Sequence, residues 1–164
     1  MLAPLLQTDP ASPRLTVYDD ARGVRMEFSA QTLDNWANKV ANLLDEELEV
    51  GPDSIIYLDL PVSWQSAVIA LGAYNASQRP VIGSPAELSS QSQPTVVFTT
   101  VAGAASWSNV SDCVVVSDDP FGRGVVESGG QLPTGTVDFG PTVRFYGDQY
   151  FNPSPDLQQW NRAE

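Results

Sequence analysis

Gly51-Pro52-Asp53-Ser54-Ile55-Ile56-Tyr57-Leu58-Asp59-Leu60-Pro61, continued by Ser63-Trp64-Gln65-Ser66-Ala67-Val68-Ile69-Ala70-Leu71-Gly72-Ala73-Tyr74-Asn75-Ala76, decides the fold. Ile55 to Leu60 is mostly apolar without strict alternation, the pattern of a strand covered on both faces, and Gly51-Pro52 closes off what precedes it. Ser63 is a good N-cap for a helix over Trp64 to Ala76. A second apolar stop, Arg79-Pro80-Val81-Ile82, follows at the short distance typical of a β-α-β unit.

Toward the N-terminus, Leu2, Leu5 and Leu6 suit one helical turn within a segment punctuated by Pro4, Pro10 and Pro13. Arg14 to Tyr18 and Val24 to Phe28 are strand-like runs around Asp19-Asp20-Ala21-Arg22-Gly23, which predicts a β-hairpin. Ser29 then caps a helix in which Leu33, Trp36, Val40, Leu43, Leu44 and Leu48 recur at spacings of three and four, an apolar stripe for the core. The opposite face, with Asp34, Asn35, Asn38, Lys39, Asn42, Asp45 and Glu46, is expected to meet solvent.

Toward the C-terminus, Ser84-Pro85-Ala86-Glu87 is a capping box that predicts a short helix. Thr95 to Thr99 and Cys113 to Val116 are two more buried-strand candidates, with a loop or weak helix around Ala102 to Ser108 between them. Strand candidates alternating with helices predict an α/β fold with a mostly parallel, doubly wound sheet in a single domain over 1–164. From Asp118 onward the texture becomes Gly, Pro and short extended pieces, Val125-Val126, Thr136 to Phe139 and Thr142 to Tyr146 among them. The expectation is a core over 14–117 with a β- and loop-rich appended tail over 118–164.

Composition excludes much chemistry. The 164 residues carry 20 acidic and 8 basic side chains, a formal net charge of -12, which repels phosphate backbones and anionic lipid. Neither nucleic acid nor membrane is therefore expected as a partner. With no histidine there is no Ser-His-Asp or Cys-His nucleophile system and no histidine metal ligand. Cys113 is the only cysteine and opens an apolar run, so it reads as a small core hydrophobe. Met1 to Gln7 lacks the basic residues and the apolar length of a signal peptide, and the expected location is the cytoplasm.

These residues resemble a known family. Met26-Glu27-Phe28-Ser29-Ala30-Gln31-Thr32-Leu33 with Trp36-Ala37-Asn38-Lys39-Val40-Ala41-Asn42-Leu43-Leu44 is similar to the opening motif of the adenylate-forming enzymes, the AMP-binding group of acyl-CoA synthetases, luciferases and peptide-synthetase adenylation domains. Val50 to Pro61 and Leu71 to Gly83 resemble two further scaffold segments of that family's first, N-terminal subdomain. The likeness runs from Leu15 to Ile82 in motif detail and to Val116 in order and spacing. The chain is most similar to a short uncharacterised protein family built like that front end, which implies its fold and a binding or protein-interaction role.

The resemblance stops short of the chemistry. Active members carry a Gly-rich phosphate loop ending in lysine, which cradles ATP with backbone amides. The candidates here, Phe121-Gly122-Arg123-Gly124, Ser128-Gly129-Gly130 and Pro133-Thr134-Gly135-Thr136, have no following lysine, and Lys39 is the chain's sole lysine. No lid lysine or ribose-binding residues can be matched. No catalytic, cofactor-binding or metal residue is therefore assigned, no cofactor is expected, and the expected role is that of a non-catalytic remnant.

Two weaker patterns point to sites. Asp19-Asp20 and Asp118-Asp119 could hold a divalent cation, but each falls where a turn is expected. Gly147 to Phe151 with Arg144, Tyr146 and Trp160 could form a ligand rim, against the plainer reading of aromatics pinning a tail to the core. An alternative function is a nucleotide or acyl binder, or an enzyme, using the crevice at the carboxyl ends of the parallel strands near Leu60-Pro61, Ile82-Gly83 and Thr99-Thr100. The exposed face left by a missing second subdomain predicts a homodimer or a protein partner.

Overall fold

A computed structural model describes residues 2–88 and 93–152. Helix α1 (Ala3–Thr8) leads into the hairpin β1 (Pro13–Asp19) and β2 (Val24–Ser29), whose turn closes on Gly23 at φ 65°. The chain continues as α2 (Ala30–Glu46), β3 (Ile56–Asp59), α3 (Trp64–Asn75), β4 (Val81–Ile82), α4 (Pro85–Leu88) and β5 (Val96–Thr99). A 3-10 turn over Ala104–Trp107, β6 (Asp112–Val115), β7 (Val137–Asp138) and α5 (Phe139–Arg144) follow. The caps are those expected: Ser29 accepts from the Thr32 amide, Ser63 and Ser66 cap each other's amides, and Ser84 pairs with Glu87.

Strands β3 to β7 form one parallel sheet in the order β4-β3-β5-β6-β7. The chain lays β4 on one side of β3 and then crosses over to lay β5 on the other. Such a reversal opens a crevice at the carboxyl ends of the two strands flanking it.

Alternation along the strands divides the core. Ile56, Leu58, Val96, Phe98 and Val114 face α2, α3 and α5, where they meet Val40, Leu43, Leu44, Ile69, Phe139 and Val143. Tyr57, Val97, Cys113 and Val115 face the other way and are covered by Ala104 and Trp107 of the 3-10 turn together with Val125. Among the described residues, the second face thus lies under a 3-10 turn and loops instead of long helices. Helices α2 and α3 cross closely at Gly72, where a Cβ would lie 2.4 Å from Val40 Cβ and 2.8 Å from the Ala37 carbonyl oxygen. Only glycine tolerates that crossing without displacement.

Two expectations need correction. Thr142 to Tyr146, expected extended, begins inside helix α5, because Val143 and Phe139 one turn apart both turn into the core. Within the stretch from Asp118, β7 extends the sheet and α5 packs on α2. The polar face of α2 is not simply solvated either. Lys39 Nζ donates to the Tyr146 carbonyl at 2.6 Å, and Asn42 Nδ2 donates to the carbonyls of Gly147 and Gln149, both at 2.9 Å. A segment without regular structure has carbonyls in need of donors, and this helix face supplies them.

Candidate functional site

The crevice at the carboxyl ends of β3, β5 and β6 is a cavity of about 860 Å³. Its floor is built from the residues that follow these strands: Leu60-Pro61 after β3, Thr100-Val101 after β5 and Val116-Ser117 after β6. The β1–β2 hairpin supplies the facing wall through Val17, Val24 and Met26. What holds that wall in place is an aromatic cluster. The Trp64 ring stacks on Phe28 of β2 at 5.1 Å between centroids and tilts against Trp36 of α2 at 5.1 Å, while its Nε1 donates to the Pro120 carbonyl at 3.0 Å. Arg22 at the hairpin tip closes one end by donating to the backbone oxygen and carboxylate of Asp118, each at 2.5 Å.

Beneath the crevice, Asp59 at the end of β3 accepts from Thr99 Oγ1 at 3.0 Å and from Trp107 Nε1 at 2.8 Å, which locks β3, β5 and the 3-10 turn together. Gln65, on the first turn of α3, behaves differently. It lines the crevice and is only 4% exposed, yet its Nε2 has no hydrogen-bond partner among the described residues. A buried donor left without an acceptor costs about 1 to 3 kcal/mol, so such groups are rare and call for a reason.

The crevice is acidic. Asp19, Asp20, Asp118 and Asp119 line it with Arg22 as the cation, and Arg22 is already engaged by Asp19 and Asp118. Asp119 is turned inward, where Arg123 and the amides of Phe121 and Arg123 hold its carboxyl below the usual carboxylate range. Asp19 and Asp118 thus pair with Arg22 and Asp119 with Arg123, and no cluster of metal-ligating side chains occurs among the described residues.

The Gly122-Arg123-Gly124 loop runs along the same end, with Gly122 at φ 75° against the Trp64 ring. Its amides are taken by the Asp119 carbonyl and by the chain's own carboxylates. Glu127 accepts from Gly124 at 2.6 Å, and Asp138 accepts from Val125 and Val126 at 3.0 and 3.3 Å. Donors that would have to face a phosphate are turned to internal carboxylates. Cys113 is buried under the sheet, which pushes its thiol up and leaves it unreactive.

This arrangement has clear counterparts among solved structures. The chain superposes on the acyl-CoA synthetase of Brucella canis with a TM-score of 0.71 at 17% identity, covering 89% of this chain and 27% of that one. The acetoacetyl-CoA synthetase of Streptomyces lividans gives 0.71 at 16% identity over 94% of this chain and 25% of its own. MatB of Rhodopseudomonas palustris gives 0.65 at 17% over 94% and 30%. The fold is that of a subdomain of an acyl-CoA synthetase. In sequence, a Mycobacterium tuberculosis protein known by a family designation is 38% identical over 168 residues, 96% of this chain and 64% of its own length. No protein-family model matches the chain. The chain thus spans a little under two thirds of that relative and about a quarter of the synthetases.

Of the positions expected to meet at the strand ends, the structure brings Leu60-Pro61 and Thr100 together in the crevice. Ile82-Gly83 is not among its lining, because β4 lies on the far side of β3 from β5. The expected rim around Gly147 to Phe151 is instead a strap across α2, with Tyr146 donating to Glu47 and Tyr150 to Asp45, both at 2.6 Å. Arg144 points elsewhere, pairing with Glu127. Trp160 lies outside the described residues. Sequence reasoning missed the hairpin wall and Gln65. The signal for Gln65 was present, an uncharged polar residue at the start of a mostly apolar helix.

The strap carries a pH prediction. The carboxylate of Glu47 raises the Tyr146 phenol to about 12, and burial, then Asp45, raises Tyr150 to about 12. Both are raised above the unfolded value near 10, so their contribution is complete below about pH 10 and is lost as pH rises toward 12. Cleavage within 145–152 by a protease active in alkali is expected to accelerate across that window while cleavage within the sheet follows later. Uniform loss of protection would mean that the strap does not open by itself.

Proposed function

We propose that this chain is a non-catalytic binding module on the frame of an adenylate-forming enzyme's first subdomain, and that it takes a small molecule in the crevice between the β1–β2 hairpin and the strand ends. The observation that carries the reading is the contrast between two neighbouring features. Loop amides that could cradle a phosphate are bonded to Asp119, Glu127 and Asp138, whereas the adjoining crevice is open and its size suits a ligand. Lys39, which a phosphoryl-transfer site would have to recruit, is tied to the Tyr146 carbonyl on α2. An acidic crevice with its arginine engaged offers little stabilisation to a developing phosphate charge.

Pyrophosphate exchange with a panel of carboxylic acids is expected to give no turnover. A thermal-shift screen is expected to show no stabilisation by ATP, AMP or CoA and stabilisation by neutral amphiphiles. ATP-dependent exchange would sink the non-catalytic reading, and a screen without any stabilising compound would remove the ligand.

A protein-interaction role is the second reading. Phe145 and Phe151, at either end of the strap, are 93% and 84% exposed. Large aromatics left in water beside a pinned strap suit burial in a homodimer or against a protein partner. Light scattering after gel filtration should then give a dimer mass that falls to a monomer for Phe145→Ser with Phe151→Ser; a monomeric parent chain would dispose of the homodimer.

A further inference from the structure

We propose that the crevice selects a small amphiphilic cation, a hydrocarbon body ending in an ammonium or guanidinium group, with the charged end at the tip of the β1–β2 hairpin and the hydrocarbon along the strand ends. This rests on the crevice being a ligand site, as above. It adds the charge and the orientation of the ligand.

The hairpin wall of the crevice has an apolar end and an acidic end. Residues two apart in a strand share a face, so Val17 with Asp19 on β1 and Val24 with Met26 on β2 line the crevice together. The register pairs Val17 with Met26 and Asp19 with Val24, which sets an apolar pair behind an acidic position at the turn. The floor, with Leu60, Pro61 and Val116, suits a hydrocarbon chain, and Val62 stands fully exposed at the mouth (103%). Apolar surface in water around a cavity of this volume fits a small amphiphile.

Charge then sorts the head group. At the hairpin tip Asp19, Asp20 and Asp118 stand against one guanidinium, that of Arg22, which pairs with Asp19 and Asp118. Asp119 is matched by Arg123, and Arg25, over the Tyr18 ring at 5.8 Å, is matched by Glu27, so neither pair alters the balance. Asp20 is exposed and enters no ion pair among the described residues. A carboxylate or phosphate ligand would add to this repulsion and a neutral head would leave it unanswered, whereas an ammonium or guanidinium beside Asp20 offsets it. A second copy of this chain, itself at a net charge of -12, would bring like charge to the same rim.

The test titrates the full chain, labelled with nitrogen-15, at pH 7 with three probes of equal chain length: octylammonium, octanamide and octanoate. Octylammonium is expected to bind about tenfold more tightly than octanamide, with octanoate weaker still, and to shift the backbone amides of Asp20, Val62 and Val101. Asp20→Asn should reduce the preference for octylammonium over octanamide about threefold. Asp53→Asn, the same loss of charge at an exposed turn between α2 and β3 outside the crevice, should leave that preference unchanged. Octanamide or octanoate binding as tightly as octylammonium, an unmoved preference in Asp20→Asn, an equal fall in Asp53→Asn, or shifts confined to other amides would each overturn the assignment. So would failure of all three probes while another compound stabilises the chain in the thermal-shift screen, an outcome that leaves the crevice a ligand site. Failure of all three with no stabilising compound in that screen would remove the ligand site itself.

Discussion

Leu43→Ala is expected to lower the unfolding free energy by about 2 to 5 kcal/mol, read as a shift of the midpoint in urea. Leu43 is fully buried near the C-terminal end of α2, in the cluster that joins α2 and α3 to the sheet through Ile56, Leu58, Phe98 and Val114. Truncation removes its transfer free energy and leaves a void that a helix held along its length cannot collapse. One end is capped by Ser29, the middle is locked against α3 at Gly72, and α5 presses from the side. Its neighbour Asn42 gives the contrast. Its amide holds two strap carbonyls at the surface, so Asn42→Ala should cost about 1 kcal/mol and should loosen the strap before it unfolds the sheet. Equal midpoint shifts for the two variants would overturn the assignment of faces.

Which parts of this were legible in the sequence follows from where the information lies. The central β-α-β unit could be read because its strand, its cap and its helix each obey a local rule, and Ile56, Ser63 and Val68 hold the places those rules give them. The apolar stripe of α2 was equally plain, since periodicity reports which face is buried. Its polar face misled, because Asn38, Lys39 and Asn42 look alike whether they meet water or a strap more than 100 residues away in sequence. Val137 and Asp138 form a two-residue strand, too short for any pattern, and only their pairing with Val114 and Val115 defines it. The crevice was legible as a place, because crossovers put cavities at strand ends, but its wall was not. The hairpin stands there because Phe28, Trp36 and Trp64 meet in space, and nothing in their spacing says so.

A chain ending at Pro120 is expected to lose cooperative folding altogether. Such a truncation would be harmless if residues 118–164 were an appendage, but it would strip out Phe139 (1% exposed), Val143 and Val125 from both faces of the sheet. Phe139 meets Phe98 edge to face at 6.2 Å, and emptying a site of that size alone costs about 3 to 5 kcal/mol. Val143 and the covering of Tyr57 and Val97 by Val125 add to that loss. Removing β7 also leaves β6 as an open edge, with the backbone groups of Val114 and Val115 unpaired and available to another chain. A domain of this size is stabilised by only about 5 to 15 kcal/mol, so these losses together approach the whole of it. Circular dichroism and urea melts of 1–120 and 1–152 decide the matter. The longer form should keep one sharp transition, whereas the shorter should be aggregated or melt without one. A sharp transition in 1–120, with a slope in proportion to its length, would restore the appendage and free the strap and α5 for a separate role.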